Sequence, residues 1–170
     1  MYQRAWPGHE SYGISIVMDW TTRRLTQTDA PLMRDVNQLF ADAFEDPETY
    51  LSAAPDLHYY TSVLKKPDVI VLAAFVDGRI VGALVAYTLE KLERARSEIY
   101  IYDLAVAAGF RRKGIATALL RETQAIAAAC GAWTVFVQAD YADPPAIALY
   151  AKLGQREEVL HFDLPPKPKG

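Results

Sequence analysis

The sequence has few of the residues that build disulfide frameworks and metal centres. Among its 170 residues there is one cysteine, Cys130, so no disulfide can form within the chain and an intracellular protein is expected. Cys130 ends an alanine-rich helical run, where a small buried residue is expected. The three histidines, His9, His58 and His161, show no metal-ligand spacing. We therefore expect no metal cofactor.

Net charge and long apolar runs are also scarce. The net charge of −3 argues against a general nucleic-acid binder. The longest apolar run, residues 69–76, is too short to cross a bilayer, so no membrane partner is expected. Residues 1–20 show no secretory or transit pattern and are interpreted as an N-terminal extension, with a flexible tail at 165–170. Length and composition predict one domain between them, at 21–164.

Periodicity and turn signals predict alternating strands and helices in this domain. The dipeptide Asp77-Gly78 is a two-residue hairpin signal, and residues 98–138 form a strand–helix–strand unit with parallel strands. The expected fold is a mixed α/β (α+β) domain whose central sheet is mostly antiparallel, contains one parallel splayed strand pair and is flanked by about four helices. Strands are predicted at 21–25, 69–76, 79–89, 98–106, 133–138 and 158–164, and helices after Thr28 or Asp29, after Asp56, at 113–129 and after Asp143. The strand at 133–138 is apolar enough to be central.

The strand at 98–106 changes its apolar parity partway along. Ile99 and Ile101 share one face, whereas Leu104 and Val106 have the opposite parity. A β-bulge around Tyr102-Asp103 would explain this change, bend the strand from its neighbour and leave the backbone groups of residues 104–106 unpaired. The alternative is a plain central strand that ends at Asp103.

The segment after this strand is suited to bind an anion. Arg111, Arg112, Lys113 and Gly114 precede a predicted helix, whose first turn carries free N–H groups and a positive dipole end. Gly114 leaves room for a phosphate beside the backbone. The Walker pattern and the three-glycine dinucleotide fingerprint are both absent. The segment is either a pyrophosphate site of another kind or an ordinary basic helix start.

Two motifs resemble the GNAT superfamily of N-acetyltransferases. Arg-x-x-Gly-x-Ala at 111–116 resembles its acetyl-coenzyme A loop, and Ala-x-x-Leu-Tyr-x-x-Leu-Gly at 146–154 resembles its final helix. Asp143 and Gln155 stand where the family usually has Asn and Phe. The resemblance covers roughly 21–164 and implies acetyl-coenzyme A as cosubstrate, held by Leu104, Ala105, Val106, Arg111, Arg112, Lys113, Gly114, Ile115, Ala116 and Thr117.

Longer blocks resemble one branch of that superfamily, the aminoglycoside 3-N-acetyltransferases of the gentamicin-resistance type. They are residues 82–87, 97–106, 137–141 and 156–163. The resemblance implies acetyl transfer to the 3-amino group of a 2-deoxystreptamine antibiotic, in the cytoplasm, by a homodimer. Two alternatives stay open. One is acetylation of a polyamine, another small amine or a protein N-terminus, and the other is a non-catalytic acyl-coenzyme A-binding module.

The reaction itself needs a base and an acid. An amine attacks a thioester only as the free base, so a carboxylate near the bulge can take its proton, directly or through water. Asp103 is the first candidate for this base, with substrate orientation as its alternative role, and Glu98 is the second, against a solvated strand-end charge. The N–H of Leu104 is a candidate donor to the oxyanion. Tyr150 is the candidate acid for the departing thiolate, against a core tyrosine.

Acidic and aromatic side chains are expected to bind a polycationic, hydroxyl-rich drug. Because charged loops are often only solvated, we expect about half of the candidates to touch it. The candidates are Tyr102, Asp140, Tyr141, Asp143, Glu157, Glu158 and Asp163. Glu45, Asp46, Glu48 and Tyr50, in a predicted loop between the first two helices, could close the other wall.

Overall fold

A mixed five-stranded sheet lies at the centre of the computed structural model, which describes residues 19–166. The strands follow their chain order in the sheet: β1 to β4 are antiparallel neighbours, and β5 runs parallel to β4. The predicted mixed sheet with one parallel pair is confirmed. The strands are β1 (Thr21–Arg24), β2 (Val69–Val76), β3 (Arg79–Lys91), β4 (Arg96–Val106) and β5 (Val135–Val137). Residues 1–18 of the predicted extension and 167–170 of the predicted tail lie outside the described part.

Five α-helices and two short 3₁₀ helices connect these strands in the described part. The α-helices are α1 (Met33–Phe44), α2 (Pro47–Leu51), α3 (Leu57–Leu64), α4 (Ile115–Cys130) and α5 (Pro144–Tyr150), and the 3₁₀ helices are Gln27–Leu32 and Ala108–Phe110.

Helices cover both faces of the sheet. On one face, Val36 and Phe40 of α1 pack in a cluster with Val71 and Ala105. On the other, Leu119 of α4 packs in a second cluster with strand residues. Because both faces are covered, β2 is almost entirely buried and has a continuous apolar sequence.

Local signals at the turns and helix starts are confirmed. Asp77 and Gly78 have φ values of 48° and 76°, as a two-residue hairpin with two left-handed residues requires. Asp56 caps α3 by accepting the Tyr59 N–H at 2.8 Å. Asp143 likewise caps α5, which begins with two prolines.

Gly82 allows the start of α4 to lie close against β3. A Cβ atom at position 82 would stand 2.8 Å from Cγ2 of Ile115. This close approach positions the N-terminus of α4 over the sheet.

Three details near the helices differ from the predictions. The 3₁₀ helix before α1 is capped at Thr26, not at Thr28 or Asp29, because the Asp29 carboxylate accepts the Thr26 N–H at 2.8 Å. The predicted loop at 45–56 contains α2, which Asp46 caps through the Thr49 N–H at 3.0 Å. Cys130 is exposed, because it lies at the last helical position, beyond the core.

The C-terminal third of the chain differs most from the predicted secondary structure. The predicted strand at 158–164 is not formed: residues 155–166 have no regular secondary structure and make no backbone–backbone hydrogen bond within the described chain. The strand predicted to be central is β5, which is short and has only β4 beside it in this part of the sheet. A strand requires a hydrogen-bonded neighbour, and residues 158–164 pair with no strand in the described part.

Candidate active site

The predicted bulge in β4 is confirmed by the register of its pairing with β3. Val85 lies opposite Asp103 and Ala86 lies opposite Ile101, so Tyr102 is the extra residue. Such an insertion bends the strand and re-aims the side chains that follow it.

The bulge keeps one face of β4 apolar despite the change of parity. Ile99 and Ile101 before it, and Leu104 and Val106 after it, all pack on the α4 side. Ala105 packs on the α1 side.

Beyond the bulge, β4 and β5 separate. Their pairing runs from Ile99 opposite Val135 to Ile101 opposite Val137 and then ends. Within residues 19–166, the β5-side edge of 102–106 therefore has no strand partner. An extended ligand with amide groups can pair with such an edge.

Asp103 lies partly buried just after the bulge. Its Oδ1 accepts a hydrogen bond from the Tyr50 hydroxyl at 2.8 Å. Burial raises the pKa of Asp103, and the Tyr50 hydrogen bond offsets part of that rise. A carboxylate with a raised pKa is a stronger base.

A cavity of about 160 Å³ lies next to this carboxylate. In the wall of this cavity, the Asn37 Nδ2 atom donates hydrogen bonds to the Tyr60 hydroxyl at 3.2 Å and to the Tyr50 carbonyl at 3.3 Å. The polar and aromatic residues that line the cavity are Asn37, Phe40, Tyr50, Tyr59, Tyr60, Tyr87 and Asp103. Tyr50 was expected only as a possible wall residue, and Tyr59 and Tyr87 were not among the expected site residues, because no local sequence pattern links them to Asp103.

An aromatic row crosses β3, β4 and β5 beside the cavity. Tyr102, 63% exposed, makes edge contacts with Tyr87 at 6.1 Å and with Tyr100 at 5.8 Å between ring centroids. Tyr100 stacks on Phe136 at 4.9 Å and donates to the Gln138 side chain at 2.9 Å. Apolar rings with polar rims suit a sugar-like ligand.

The predicted anion site has a helix start shaped by backbone geometry. Gly114 caps α4 with a φ of 85°, a left-handed value that glycine adopts without strain. The first intrahelical bond runs from the Ala118 N–H to the Gly114 carbonyl. The N–H groups of Ile115, Ala116 and Thr117 precede it and are free to bind an anion.

Two basic side chains of this loop stabilise the loop itself. Arg111 Nε donates to the Val106 carbonyl at 3.1 Å. Lys113 Nζ donates to the Gly109 carbonyl at 2.9 Å and lies 5.1 Å from the Phe110 ring centroid. Arg112 is exposed. Arg111 and Lys113 therefore hold the loop backbone, and the free N–H groups at the start of α4 remain available to an anion.

Tyr150 lies on α5 and packs against the α4-side cluster. Burial raises its pKa to about 12, and the charge of Asp143 adds to the rise. Asp103 lies with the α1-side residues instead.

The structure does not bring Glu98 to this site. Glu98 lies 3.5 Å from Lys91 Nζ in an ion pair. It precedes Asp103 by five residues, which is roughly 16 Å along an extended strand.

The loop after β5 reaches the same end of the sheet as the bulge, because β4 and β5 are parallel. Asp140 accepts the Ala142 N–H at 2.8 Å, and Asp143 caps α5. Tyr141 lies under the Arg156 guanidinium at 5.4 Å. These predicted drug-binding residues therefore lie at the bulge end of the sheet, where the two carboxylates hold the local backbone.

Among the remaining predicted residues, Tyr50 alone hydrogen-bonds to Asp103 within residues 19–166. Glu158 pairs with Arg156 and Asp163 with His161, both on the C-terminal segment, where Glu157 is also exposed. Of the α1–α2 group, Tyr50 contacts Asp103, whereas Asp46 caps α2.

Neither a metal cluster nor a membrane-spanning helix is found in the described part. No group of three or more His, Cys, Asp or Glu side chains in residues 19–166 is placed to hold a metal ion. No helix in that range is long and apolar enough to cross a membrane.

The model of the Acetyltransferase (GNAT) family matches residues 33–155, and the chain belongs to this family. It is therefore an acyltransferase of the class that uses acetyl-coenzyme A.

Two solved structures and one curated relative are similar to this chain over most of its length. An aminoglycoside acetyltransferase from an uncultured soil metagenomic sample is 50% identical, with a TM-score of 0.86 over 88% of this chain and 100% of that one. A second, solved in complex with sisomicin, is 31% identical, with a TM-score of 0.81 over 87% of this chain and 97% of that one. The N-alpha-acetyltransferase of Sulfurisphaera tokodaii is 27% identical over 82% of this chain and 81% of its own length.

Proposed function

We propose that the protein is an aminoglycoside 3-N-acetyltransferase that moves the acetyl group of acetyl-coenzyme A to the 3-amino group of a 2-deoxystreptamine drug of the gentamicin type. The observation that carries this proposal is the placement of Asp103, on the bulge of β4, in the wall of a tyrosine-lined cavity and next to the open strand edge. A carboxylate there can attract an ammonium group and accept its proton. The 50% identity to an aminoglycoside acetyltransferase supports the substrate class.

The acetyl donor fits two backbone features of this chain. The free N–H groups at the start of α4 would hold its pyrophosphate, where Gly114 leaves the approach open. The unpaired edge of residues 104–106 would pair with the amides of its pantetheine arm. Bound there, acetyl-coenzyme A supplies an activated thioester.

In the proposed mechanism, Asp103 takes a proton from the substrate ammonium, and the freed nitrogen attacks the thioester carbonyl carbon. The Leu104 N–H stabilises the charge that develops on the carbonyl oxygen. The C–S bond then breaks, and the Tyr150 hydroxyl donates a hydrogen bond to the departing sulfur. The second proton that the nitrogen loses passes to the thiolate, so the products are a neutral amide and the coenzyme A thiol. With a pKa of about 12, Tyr150 stays protonated at neutral pH. An ordinary thiol has a pKa of about 8.5, so Tyr150 is a weaker acid than the thiol that it faces. The main contribution of Tyr150 is therefore a hydrogen bond that stabilises the thiolate.

A thiol-release assay with acetyl-coenzyme A and gentamicin or sisomicin tests the proposal, followed by NMR mapping of the modified nitrogen. We expect one acetyl group, on the 3-amino nitrogen. Asp103→Asn should lower kcat/KM by about 10²–10⁴-fold, most at low pH, where the free amine is scarce. Modification at another nitrogen would contradict the regiochemistry, and no release with any aminoglycoside would contradict the substrate class.

Protein N-terminal acetylation is the second candidate, because two curated relatives that are 27% identical to this chain are named N-alpha-acetyltransferases. A panel of free-N-terminal peptides and spermidine in the same assay separates it from drug acetylation. A higher kcat/KM for peptides than for gentamicin would favour this candidate. Coenzyme A binding by calorimetry, without thiol release for any amine, would indicate a non-catalytic module.

We also propose that the enzyme acts in the cytoplasm and confers resistance. Expression in a susceptible bacterium should raise the inhibitory concentration of gentamicin. The Asp103→Asn variant, expressed at the same level, should not.

A further inference from the structure

A polar side chain, that of Asn37, lies on the buried stripe of α1. Met33, Val36 and Phe40 are buried in the α1-side cluster, and Asn37 lies four residues after Met33 and three before Phe40. Helical residues at these spacings share one face. An amide on an apolar face lowers stability unless its N–H groups are hydrogen-bonded, and asparagine is a weak helix former. The position of Asn37 therefore indicates a specific contact.

The Asn37 amide joins α1 to two other helices. Its Nδ2 atom donates to the Tyr60 hydroxyl of α3 at 3.2 Å and to the Tyr50 carbonyl of α2 at 3.3 Å. An amide nitrogen carries two N–H groups, so these two acceptors use both of them. Tyr60 is only 6% exposed, so its contact with Asn37 lies in the packed interior between α1 and α3. One side chain thus links the three helices that line the cavity.

The helix α2 depends on such outside contacts. It has five residues, which is too short for a helix to be stable alone, and the carbonyls at a helix end have no partner within the helix. Asp46 caps the start of α2 through the Thr49 N–H at 3.0 Å. Asn37 binds the Tyr50 carbonyl, one residue before the end. The second contact therefore holds the backbone of the residue whose side chain reaches Asp103.

The side chain of Tyr50 makes two kinds of contact that differ in their tolerance of movement. Its ring lies 5.7 Å from the Phe40 ring and 5.8 Å from the Phe44 ring, between centroids. Contacts between aromatic rings are favourable over about 4.5–7 Å, so they tolerate a sliding movement. The 2.8 Å hydrogen bond to Asp103 Oδ1 is lost when the two oxygens separate by about 1 Å more. A small shift of α2 would therefore keep the ring packed and break the hydrogen bond.

We propose that Asn37 is a positioning residue for acetyl transfer: its amide fixes α2 and α3 against α1 and so keeps the Tyr50 hydroxyl on the Asp103 carboxylate. The hydrogen bond from Tyr50 favours the ionised form of Asp103. Asn37 acts on this carboxylate through Tyr50, because its own N–H groups bind elsewhere. The role in catalysis rests on the proposed function, in which Asp103 takes the proton, whereas the effect on Asp103 itself does not.

Phenols from α2, α3, β3 and β4 surround Asp103. Burial raises the pKa of Tyr50, Tyr60, Tyr87 and Tyr100 above the value of about 10 for an ordinary phenol. These four side chains therefore stay neutral over the pH range of the assay. The surrounding phenols are Tyr50, Tyr59, Tyr60, Tyr87, Tyr100 and Tyr102.

Two charged side chains act on phenols of this cavity: Asp46 acts on Tyr50, and Arg34 acts on Tyr60. Hydrogen bonding from Thr49 lowers the pKa of Asp46, whereas burial raises that of Asp103, so Asp46 titrates at the lower pH. The lining residues of α1 and β2 carry no charge, and His58 of α3 is exposed outside the lining. The carboxyl that titrates at this cavity with a raised pKa is therefore Asp103.

NMR titration of the Asp103 carboxyl carbon in the full chain tests the proposal without substrate. Its resonance is assigned by its loss in Asp103→Asn. Asn37→Leu removes both N–H donors and suits the apolar stripe of α1, so the fold should be retained. We expect the pKa of Asp103 to rise by about half a unit or more, because the hydrogen bond from Tyr50 weakens. In the thiol-release assay, kcat/KM should fall about threefold at low pH and converge with the wild type at high pH.

A double-mutant cycle with Tyr50→Phe distinguishes positioning from packing. The hydroxyl is absent in the Tyr50→Phe background, so Asn37→Leu should cause no further rise in the pKa of Asp103. A residue that only packs the helices would lower thermal stability equally in both backgrounds and leave that pKa unchanged. Gln38→Leu is the matched control: Gln38 is the next residue of α1, is exposed and donates to Asp42 at 2.9 Å, so its loss should not change the pKa.

Three results would overturn the inference. They are a folded Asn37→Leu variant with the wild-type pKa at Asp103, the same rise in the Tyr50→Phe background, and an equal rise in Gln38→Leu. If Asn37→Leu does not fold, Asn37→Ser, whose side chain is too short to reach both acceptors, serves for the same comparison.

The two readouts separate this inference from the proposed function. The pKa is measured without acetyl-coenzyme A or amine, so it decides the effect of Asn37 on Asp103 even if no amine is acetylated. Absence of acetylation would count against the proposed function alone. A raised pKa with an unchanged pH profile of kcat/KM would overturn the role of Asn37 in acetyl transfer.

Discussion

Replacing Tyr50 by Phe removes one oxygen atom and the hydrogen bond that Asp103 accepts from it at 2.8 Å. The ring itself would stay in place. Its contacts with Phe40 and Phe44, at 5.7 Å and 5.8 Å between centroids, need no hydroxyl. The substitution therefore changes the electrostatics of Asp103 with little change in packing.

The size and direction of the effect follow from this contact. Burial raises the pKa of Asp103 and the Tyr50 hydrogen bond lowers it, so loss of the bond should raise that pKa further. A hydrogen bond to a charged group contributes about 1.5–3 kcal/mol. Because Asp103 is only partly buried, water can replace part of the lost hydrogen bond. The net loss is then about 1–1.5 kcal/mol, which corresponds to a pKa shift of about one unit. Because a base acts in its ionised form, the acidic limb of kcat/KM should move up by about one pH unit.

The assay is thiol release with gentamicin at saturating acetyl-coenzyme A, from about pH 5 to about pH 9. We expect similar rates for both proteins at high pH and a growing deficit for Tyr50→Phe as pH falls. Tyr59→Phe is the control, since Tyr59 lines the same cavity but does not contact Asp103. A Tyr50→Phe profile that superimposes on the wild type would refute the reasoning. A uniform loss at all pH values would place Tyr50 in substrate binding instead.

Three further substitutions test separate parts of the structure. Gly82→Ala puts a methyl group 2.8 Å from Ile115, so calorimetry should show acetyl-coenzyme A binding about 10-fold weaker, whereas Gly109→Ala, with nothing within 4 Å, should bind normally. Tyr150→Phe should lower kcat about 10-fold or more with unchanged coenzyme affinity, and an unchanged burst-phase rate would remove its role as donor. Hydrogen bonding from Arg23 lowers the pKa of Asp29 from 3.8 to about 2. The ionised Asp29 carboxylate therefore stabilises the folded state above about pH 4, and this stabilisation is lost as pH falls toward 2 and below. Urea unfolding of Asp29→Asn should show a loss of about 1 kcal/mol or less at pH 7, because the Arg23 side chain is 47% exposed. Only a small part of that loss should remain near pH 2, where the folded-state carboxyl is about half protonated, and a constant difference would contradict this.

Features encoded over a few residues could be predicted well. The parity change between Ile101 and Leu104 was enough to locate the bulge, because side chains alternate along a strand. The Asp77-Gly78 turn and the helix start at Gly114 needed only the preferences of two or three residues. The residues that hold the backbone of the site were therefore predictable.

Features that depend on residues far apart in the chain could not be predicted. The Tyr50 hydroxyl and the Asp103 carboxylate meet across 53 residues, and the approach of Gly82 to Ile115 joins a strand to a helix. Whether a β-prone segment becomes a strand depends on its pairing with a distant strand, and residues 158–164, strand-like in sequence, make no such pairing within residues 19–166. The sequence by itself determined the local backbone shapes and the order of the elements, because these follow from nearby residues. Only the tertiary structure decided which side chains surround Asp103 and which strand edges stay open, because both depend on contacts between segments far apart in the chain.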